Sequence, residues 1–327
     1  MLPLQLFALR YRRGEISPSK SKVRSKTVGD AVRSIGQTIA NMGFQDPRLQ
    51  PSGKLQFRLS RQLAAYNKHD PPPSRVKPIP SSILLQTIST LRLSTHPRSG
   101  TMADMLTLGF YFLLRPGEYA MTTNPDSTPF RLQDVHLCIG QQRLPHLTCP
   151  VTSLDASSFV CLEFTKQKNG VRGELIGLSR SGNPAFCPAQ ACINRVKYLR
   201  NLNAQPTMPL YAFFSIDWQG ITTSALTSEL RNTVHVHGAS VGLSPSDISI
   251  RSLRSSGAMA LLCANVDTDR IRLLGRWKSD EMLRYLHVQA YPVVAHLAPA
   301  MLQHGQFSLI QNQPNPTTSI LPVHGEH

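Results

Sequence analysis

The chain has 327 residues, 41% of them hydrophobic, and a formal net charge of +16. That length is enough for a large core spread over more than one domain, and the hydrophobic share excludes global disorder. No apolar run approaches the roughly 20 residues that cross a bilayer. The N-terminal MLPLQLFALRYRRG is apolar first and basic second, the reverse of a secretory signal. Residues 1–80 hold fifteen Lys and Arg against four acids, so +11 of the +16 falls in the first quarter of the chain. Such asymmetry predicts a polyanionic partner, nucleic acid ahead of membrane.

Residues 1–26, rich in Ser, Arg and Lys, read as an extended basic arm. Thr27 starts a helix whose apolar stripe is Val28, Val32, Ile35, Ile39 and Met42, and Gly43 stops it. A second helix, over 54–66, turns Leu55, Leu59, Leu63 and Tyr66 inward and Lys54, Arg58 and Arg61 outward. Residues 27–68 thus read as part of a small helical domain. The stretch 69–80, HDPPPSRVKPIP, carries five prolines and reads as a stiff linker that includes Arg75 and Lys77. Helices follow at 81–93 and 99–114, the second ending at Arg115 because Pro116 disfavours helical geometry before it. Between 129 and 178, RLQDVHLCI, FVCLEFTKQK and ELIGLS read as three strands, the last two joined by an Asn169-Gly170 hairpin turn. Helical patterning then returns, and a tail over 307–327 reads as disordered. The expected fold class is mainly α with a small antiparallel β-sheet, its main domain spanning 81–306.

Six cysteines are scattered along the chain. Cys187 and Cys192 have a spacing that a zinc site uses, but no second pair matches them, and the HVH at 235–237 is a weak partner. Reduced core cysteines are the expectation, with no metal and no cofactor.

Four places carry candidate chemistry. In a helix over 252–264, Arg251 and Arg254 lie three residues apart near the N-terminus. Like charges at that spacing cost a few tenths of a kcal/mol, and the helix dipole disfavours cations there. A phosphate would compensate them; so would a carboxylate such as Asp247. Arg115 abuts an apolar helix, with Glu118 placed to orient its guanidinium. Lys166 and Lys168 share the parity of Val160, Leu162 and Phe164 beside the hairpin turn, and either reach into a site or stay solvated. In LLGRWKSDEMLRYLH, Gly275 stops one helix and Tyr285 sits in the next, either as a half-buried packing residue or as a nucleophile.

Taken together, LLRPGEY, the hairpin lysine, RSLRSSGAMAL and LLGRW followed by Tyr285 resemble the tyrosine recombinases (phage-integrase family), with wording closest to integrase-like proteins of eukaryotic mobile elements. The resemblance covers about residues 27–300. It implies a tyrosine recombinase catalytic fold preceded by a partial helical core-binding (SAM-like) domain. Arg115 and Arg254 would clamp a scissile phosphodiester of double-stranded DNA, and Tyr285 would attack it to give a 3′-phosphotyrosine link. Lys166, with Lys168 as the alternative, would protonate the 5′-oxygen, without metal or nucleotide. A free tyrosine, with a pKa of about 10, needs such cationic surroundings to act at neutral pH. Where the family has histidine three residues before the second clamp arginine, this chain has Arg251. Where it has histidine or tryptophan nine residues before the nucleophile, this chain has Arg276, with Trp277 beside it. Arginine stays protonated near pH 7, so Arg251 cannot be a general base. Further DNA contacts are expected from Lys168, Arg75, Lys77, Arg58, Arg61 and Trp277. Family practice implies a homotetramer on DNA, and SKSKVRSK suggests nuclear residence. A catalytically degenerate DNA-binding protein of the same fold, a mobile-element remnant, is the alternative.

Overall fold

A computed structural model describes residues 2–71, 76–165, 173–277 and 299. The chain divides into two compact units, Met1–Ser74 and Arg75–His327.

Among its described residues the first unit holds three helices, α1 (Leu2–Arg13), α2 (Ser25–Asn41) and α3 (Phe57–Lys68). Residues 2–13, expected within an extended arm, are instead helical. The reason is an apolar face: Leu4 and Ala8 are buried, and Phe7 and Tyr11 pack on a small core of Ala8, Val28, Val32 and Leu59. Arg12, read as part of a solvated basic arm, is also buried. It pairs with Asp70 and donates to the Val23 carbonyl. Asp70 in turn accepts from the Ser25 backbone N–H at 2.8 Å and its hydroxyl at 2.6 Å. A carboxylate 45 residues away therefore serves the first turn of α2, whose N-cap Arg24 makes no side-chain cap bond. The Ser25 bonds, followed by Arg12, pull the Asp70 pKa down to about 2. Asp30 pairs with Arg33 on the exposed face of α2.

The second unit is built round α5 (Pro97–Tyr111), which is buried on all sides from Thr101 to Phe110. Its neighbours are α4 (Ser81–Arg92), α8 (Pro188–Asn201) and α10 (Ser252–Cys263). A short α6 (Pro116–Tyr119) follows α5, and α7 (Val151–Asp155), α9 (Thr223–His237) and α11 (Thr268–Leu274) lie further along the chain, with four short 3₁₀ turns among the described residues. The main sheet is antiparallel in the order β2-β1-β3-β4. Its strands are β1 (Val135–Ile139), β2 (Gln142–Arg143), β3 (Phe159–Phe164) and β4 (Glu174–Ser179). Sequence patterning missed the two-residue β2, too short for alternation to show, and also a hairpin of two three-residue strands inside the stretch it read as helical. A separate hairpin joins β5 (Ala212–Phe214) to β6 (Trp218–Gly220). On β3, Val160, Leu162 and Phe164 face the core, alternating as period-two burial requires.

Two fastenings fix the corner in which the candidate residues lie. A Cβ on Gly257 would come within 2.3 Å of the Phe110 carbonyl oxygen, so only glycine lets α10 lie this close to the end of α5. Tyr119, the last residue of α6, donates its hydroxyl to the Ile250 carbonyl at 3.0 Å. The stretch 76–80 is held along α10: Lys77 pairs with Asp247 at 2.9 Å, and the Ile79 N–H donates to the Ser256 hydroxyl at 2.7 Å.

Candidate phosphate-clamp site

Two helix endings meet at this site, and they are built alike. After α5 the Leu114 N–H bonds the Gly109 carbonyl, and Leu113 adopts φ +49°. After α11 the Trp277 N–H bonds the Arg272 carbonyl, the Arg276 N–H bonds Leu273, and Arg276 adopts φ +56°. Both are Schellman endings in which a left-handed residue closes the helix, a place usually taken by glycine. The α5 helix thus stops at Tyr111 rather than reaching Arg115: the Leu113 turn, not Pro116, ends it. Gly275 keeps its predicted stop role, because a Cβ there would fall within the Trp277 ring.

The Leu113 turn delivers Arg115 and Glu118. The Glu118 carboxylate accepts from the Arg115 backbone N–H at 2.7 Å and from its guanidinium at 3.2 Å. The same carboxylate accepts two bonds from Arg276, at 3.3 and 3.2 Å, and Arg276 also donates to the Leu113 carbonyl at 3.2 Å. The Phe164 ring lies beneath, 3.8 Å from the Arg276 guanidinium carbon. Burial lowers the Arg276 pKa from its ordinary value, and Glu118 opposes the shift.

Arg254, on the first turn of α10, is buried as well. It donates to the Gly275 carbonyl, and its guanidinium lies over Trp277 at 4.3 Å. Arg251 is exposed, so the two α10 arginines sit in different surroundings rather than side by side. Asp247, weighed as their carboxylate partner, pairs with Lys77 instead. A pocket of about 420 Å³ opens next to the cluster, and Arg115, Glu118, Thr223, Ile250 and Arg251 are on its wall.

The structure therefore brings Arg115, Arg254, Arg276 and Trp277 to one corner through Glu118 and Gly275, with Arg251 at the pocket rim. Lys77 is half exposed and paired, on the segment before α4. Arg58 and Arg61 are exposed on α3 in the other unit, Arg61 lying over Phe57 at 5.7 Å. Tyr285, Lys166, Lys168 and Arg75 fall outside the described residues. Sequence reading anticipated Glu118 as the partner of Arg115. It missed the second arginine on the same carboxylate and the Phe164 ring beneath it, which core-facing parity on β3 had placed only as packing. Among the described residues, no cluster of three His, Cys, Asp or Glu is arranged to hold a metal ion.

No family model matches the sequence, and no curated protein matches it. Solved structures do match in fold. The Tn1549 transposon integrase in complex with transposon right-end DNA aligns with a TM-score of 0.51 at 13% identity, over 93% of this chain and 84% of that one. The same integrase with a circular-intermediate DNA gives 0.51 at 12% identity, over 93% and 84%. The XerH site-specific recombinase, in a post-cleavage complex with a palindromic difH substrate, gives 0.50 at 11% identity, over 92% and 70%. At such identities the likeness defines architecture. The chain has the tyrosine recombinase catalytic fold, mainly helical with a small antiparallel sheet.

Proposed function

We propose that the chain is a DNA breaking–rejoining enzyme of the tyrosine recombinase type. One observation supports it most: arginines from three distant places, residues 115, 254 and 276, gather at one corner beside a pocket of about 420 Å³ that Arg115 and Arg251 line. In this reading Arg115 and Arg254 hold the scissile phosphodiester, and Arg251 adds a cation at the pocket rim. The Tyr285 oxygen, its proton passed to water or to a phosphate oxygen, attacks the phosphorus, the bond to the 5′-oxygen breaks, and Lys166 gives that oxygen its proton. The 3′-phosphotyrosine link keeps the bond energy for rejoining to another strand. Cations aimed at the phosphate stabilise the charge that develops in the transition state, a preorganised effect that usually dominates such chemistry. The basic face of α3, with Arg58 and Arg61, adds sequence-independent phosphate contacts, so affinity falls steeply with salt. The transposon-integrase and recombinase neighbours are DNA complexes, which supports duplex DNA as the substrate. On the same reading the chain acts in the nucleus as a homotetramer and derives from a mobile element.

The test is a nicked suicide duplex that traps the covalent intermediate. The wild-type chain forms a protein–DNA adduct and Tyr285→Phe forms none. A wild type that binds duplex but yields no adduct would favour the second reading, a DNA-binding protein of this fold that has lost cleavage. Arginine at 251, where it cannot accept a proton, is what favours that alternative.

A further inference from the structure

A second pocket, of about 430 Å³, opens between the start of α5 and the β5–β6 hairpin. His96, Arg98, Ser99, Phe213, Ser215 and Thr222 are on its wall. Thr222 lines this pocket, and Thr223, the next residue, lines the one beside Arg115 and Arg251. The two pockets therefore flank the first residues of α9.

The chemistry of the wall is one-sided, for it carries no Asp or Glu. Asp217, in the turn of the hairpin, is exposed and accepts from the Gln219 amide at 3.2 Å. Arg98 makes no ion pair among the described residues, and the Ser99 and Ser215 hydroxyls make no hydrogen bond among them. His96 Nδ1 accepts from the Arg98 backbone N–H at 3.1 Å, so the neutral ring carries its proton on Nε2 and offers it as a donor. The Phe213 ring meets His96 edge-on, 6.4 Å between centroids. Arg98 also stands in the first turn of α5, which holds no acid and where the helix dipole disfavours a cation. An oxyanion in the pocket accounts for the arginine and for the donors round it together.

We propose that this pocket takes a phosphate group, with Arg98 as its cation and Ser99, Ser215 and His96 as its neutral donors. One chemistry serves two sources. The group belongs either to the backbone of the duplex beyond the scissile position or to a free phosphate compound, for which the volume is ample. The duplex source rests on the strand-cleavage reading: DNA seated at Arg115 and Arg251 reaches Thr223, and this pocket begins one residue away.

Salt dependence of binding tests it on the full chain. Wild type, Arg98→Ala and Ala225→Leu are each titrated with a random-sequence duplex over a range of sodium chloride. Ala225 is half-buried on the wall, so leucine there fills the pocket without changing its charge. If a backbone phosphate occupies the pocket, both variants lower the slope of log affinity against log salt by about one contact. Melting reads the free source. Inorganic phosphate, exchanged for chloride at constant ionic strength, raises the wild-type melting temperature, and both variants show a smaller rise. The pocket beside Arg115 keeps its residues in all three proteins, so a difference between them belongs to the second pocket. A loss shared by both variants in either measurement supports the inference and names the source. A loss in Arg98→Ala that Ala225→Leu lacks makes Arg98 a diffuse surface charge and overturns it. Slopes and melting responses equal to wild type overturn it as well. A wild type that binds duplex without an adduct overturns strand cleavage and leaves both readouts in force. A wild type that binds no duplex overturns the DNA source, and the response to inorganic phosphate then decides. Melting in chloride identifies a variant that does not fold. Should Ala225→Leu be one, Ser215→Leu, at an exposed position on the same wall, takes its place.

Discussion

Asp104, within α5, and Glu118, just past its end, are both buried carboxylates set among arginines, yet they differ in what surrounds them. Asp104 accepts from Arg92 at 2.9 Å and from the Asn194 amide at 3.1 Å, and the charge of Arg195 also acts on it. Arg195 is fully committed elsewhere: it donates to the Leu210 carbonyl at 2.8 Å, the Ala212 carbonyl at 2.5 Å and the Thr101 hydroxyl at 2.6 Å. Burial pulls the Arg195 pKa down to about 10 and pushes that of Asp104 up. Glu118 also has two arginines, but one of them, Arg115, stands on a pocket wall. An excess of positive charge is therefore not enough to mark an anion site. The two clusters differ in that Arg115 fronts an open pocket, whereas the Arg195 donors end on the protein's own oxygens.

Mutations can break that comparison from either side. Arg195→Met should have the largest effect on stability, about 3–5 kcal/mol, because it leaves Asp104 buried with half its compensation and strips two carbonyls of their donor. Denaturant unfolding measures it. Stability unchanged within about 1 kcal/mol would show that the Arg195 cluster is not structural. Arg115→Ala should do the reverse. Adduct formation falls about 10²–10³-fold while the melting temperature holds, since Arg276 still pairs with Glu118. A melting loss as large as that of Arg195→Met would erase the distinction between the two clusters.

Smaller effects sharpen it. Phe164→Leu removes the ring beneath Arg276 and should cost about 1–2 kcal/mol, with a moderate slowing of adduct formation as the fork loses its support. Unchanged stability and rate would mean the stacking contributes nothing. The first unit supplies a third carboxylate, Asp70, paired with one buried arginine. Its pKa is depressed in the folded state to about 2, against roughly 3.9 in an unfolded chain. A depressed carboxyl stabilises fully above the unfolded value and loses that contribution as pH falls through the folded one. Melting of the chain should therefore weaken between about pH 4 and pH 2, and Asp70→Asn should flatten that dependence. Identical profiles for the two proteins would remove Asp70 from the account.

By itself the sequence determined the period of each long element and the identity of the chemical groups. Val28 to Met42 marks α2, the alternation through Val160, Leu162 and Phe164 marks β3, and LLRPGEY places Arg115 and Glu118 within one turn. These are local patterns, readable because helices and strands repeat over a few residues. It did not determine that Leu2–Arg13 is helical, since the basic character of Arg10, Arg12 and Arg13 masked a short apolar face that only α2 and α3 bury. Nor did it show which arginines are spent. Arg12, Arg195 and Arg276 look alike in a string of letters, and each found its partners across 58, 15 or 158 residues of chain. Burial, and the choice of carbonyl or carboxylate at the end of a guanidinium, depends on which helix ends are packed together. Only the tertiary structure fixes that, through the Gly257 approach to α5 and the two left-handed turns at Leu113 and Arg276.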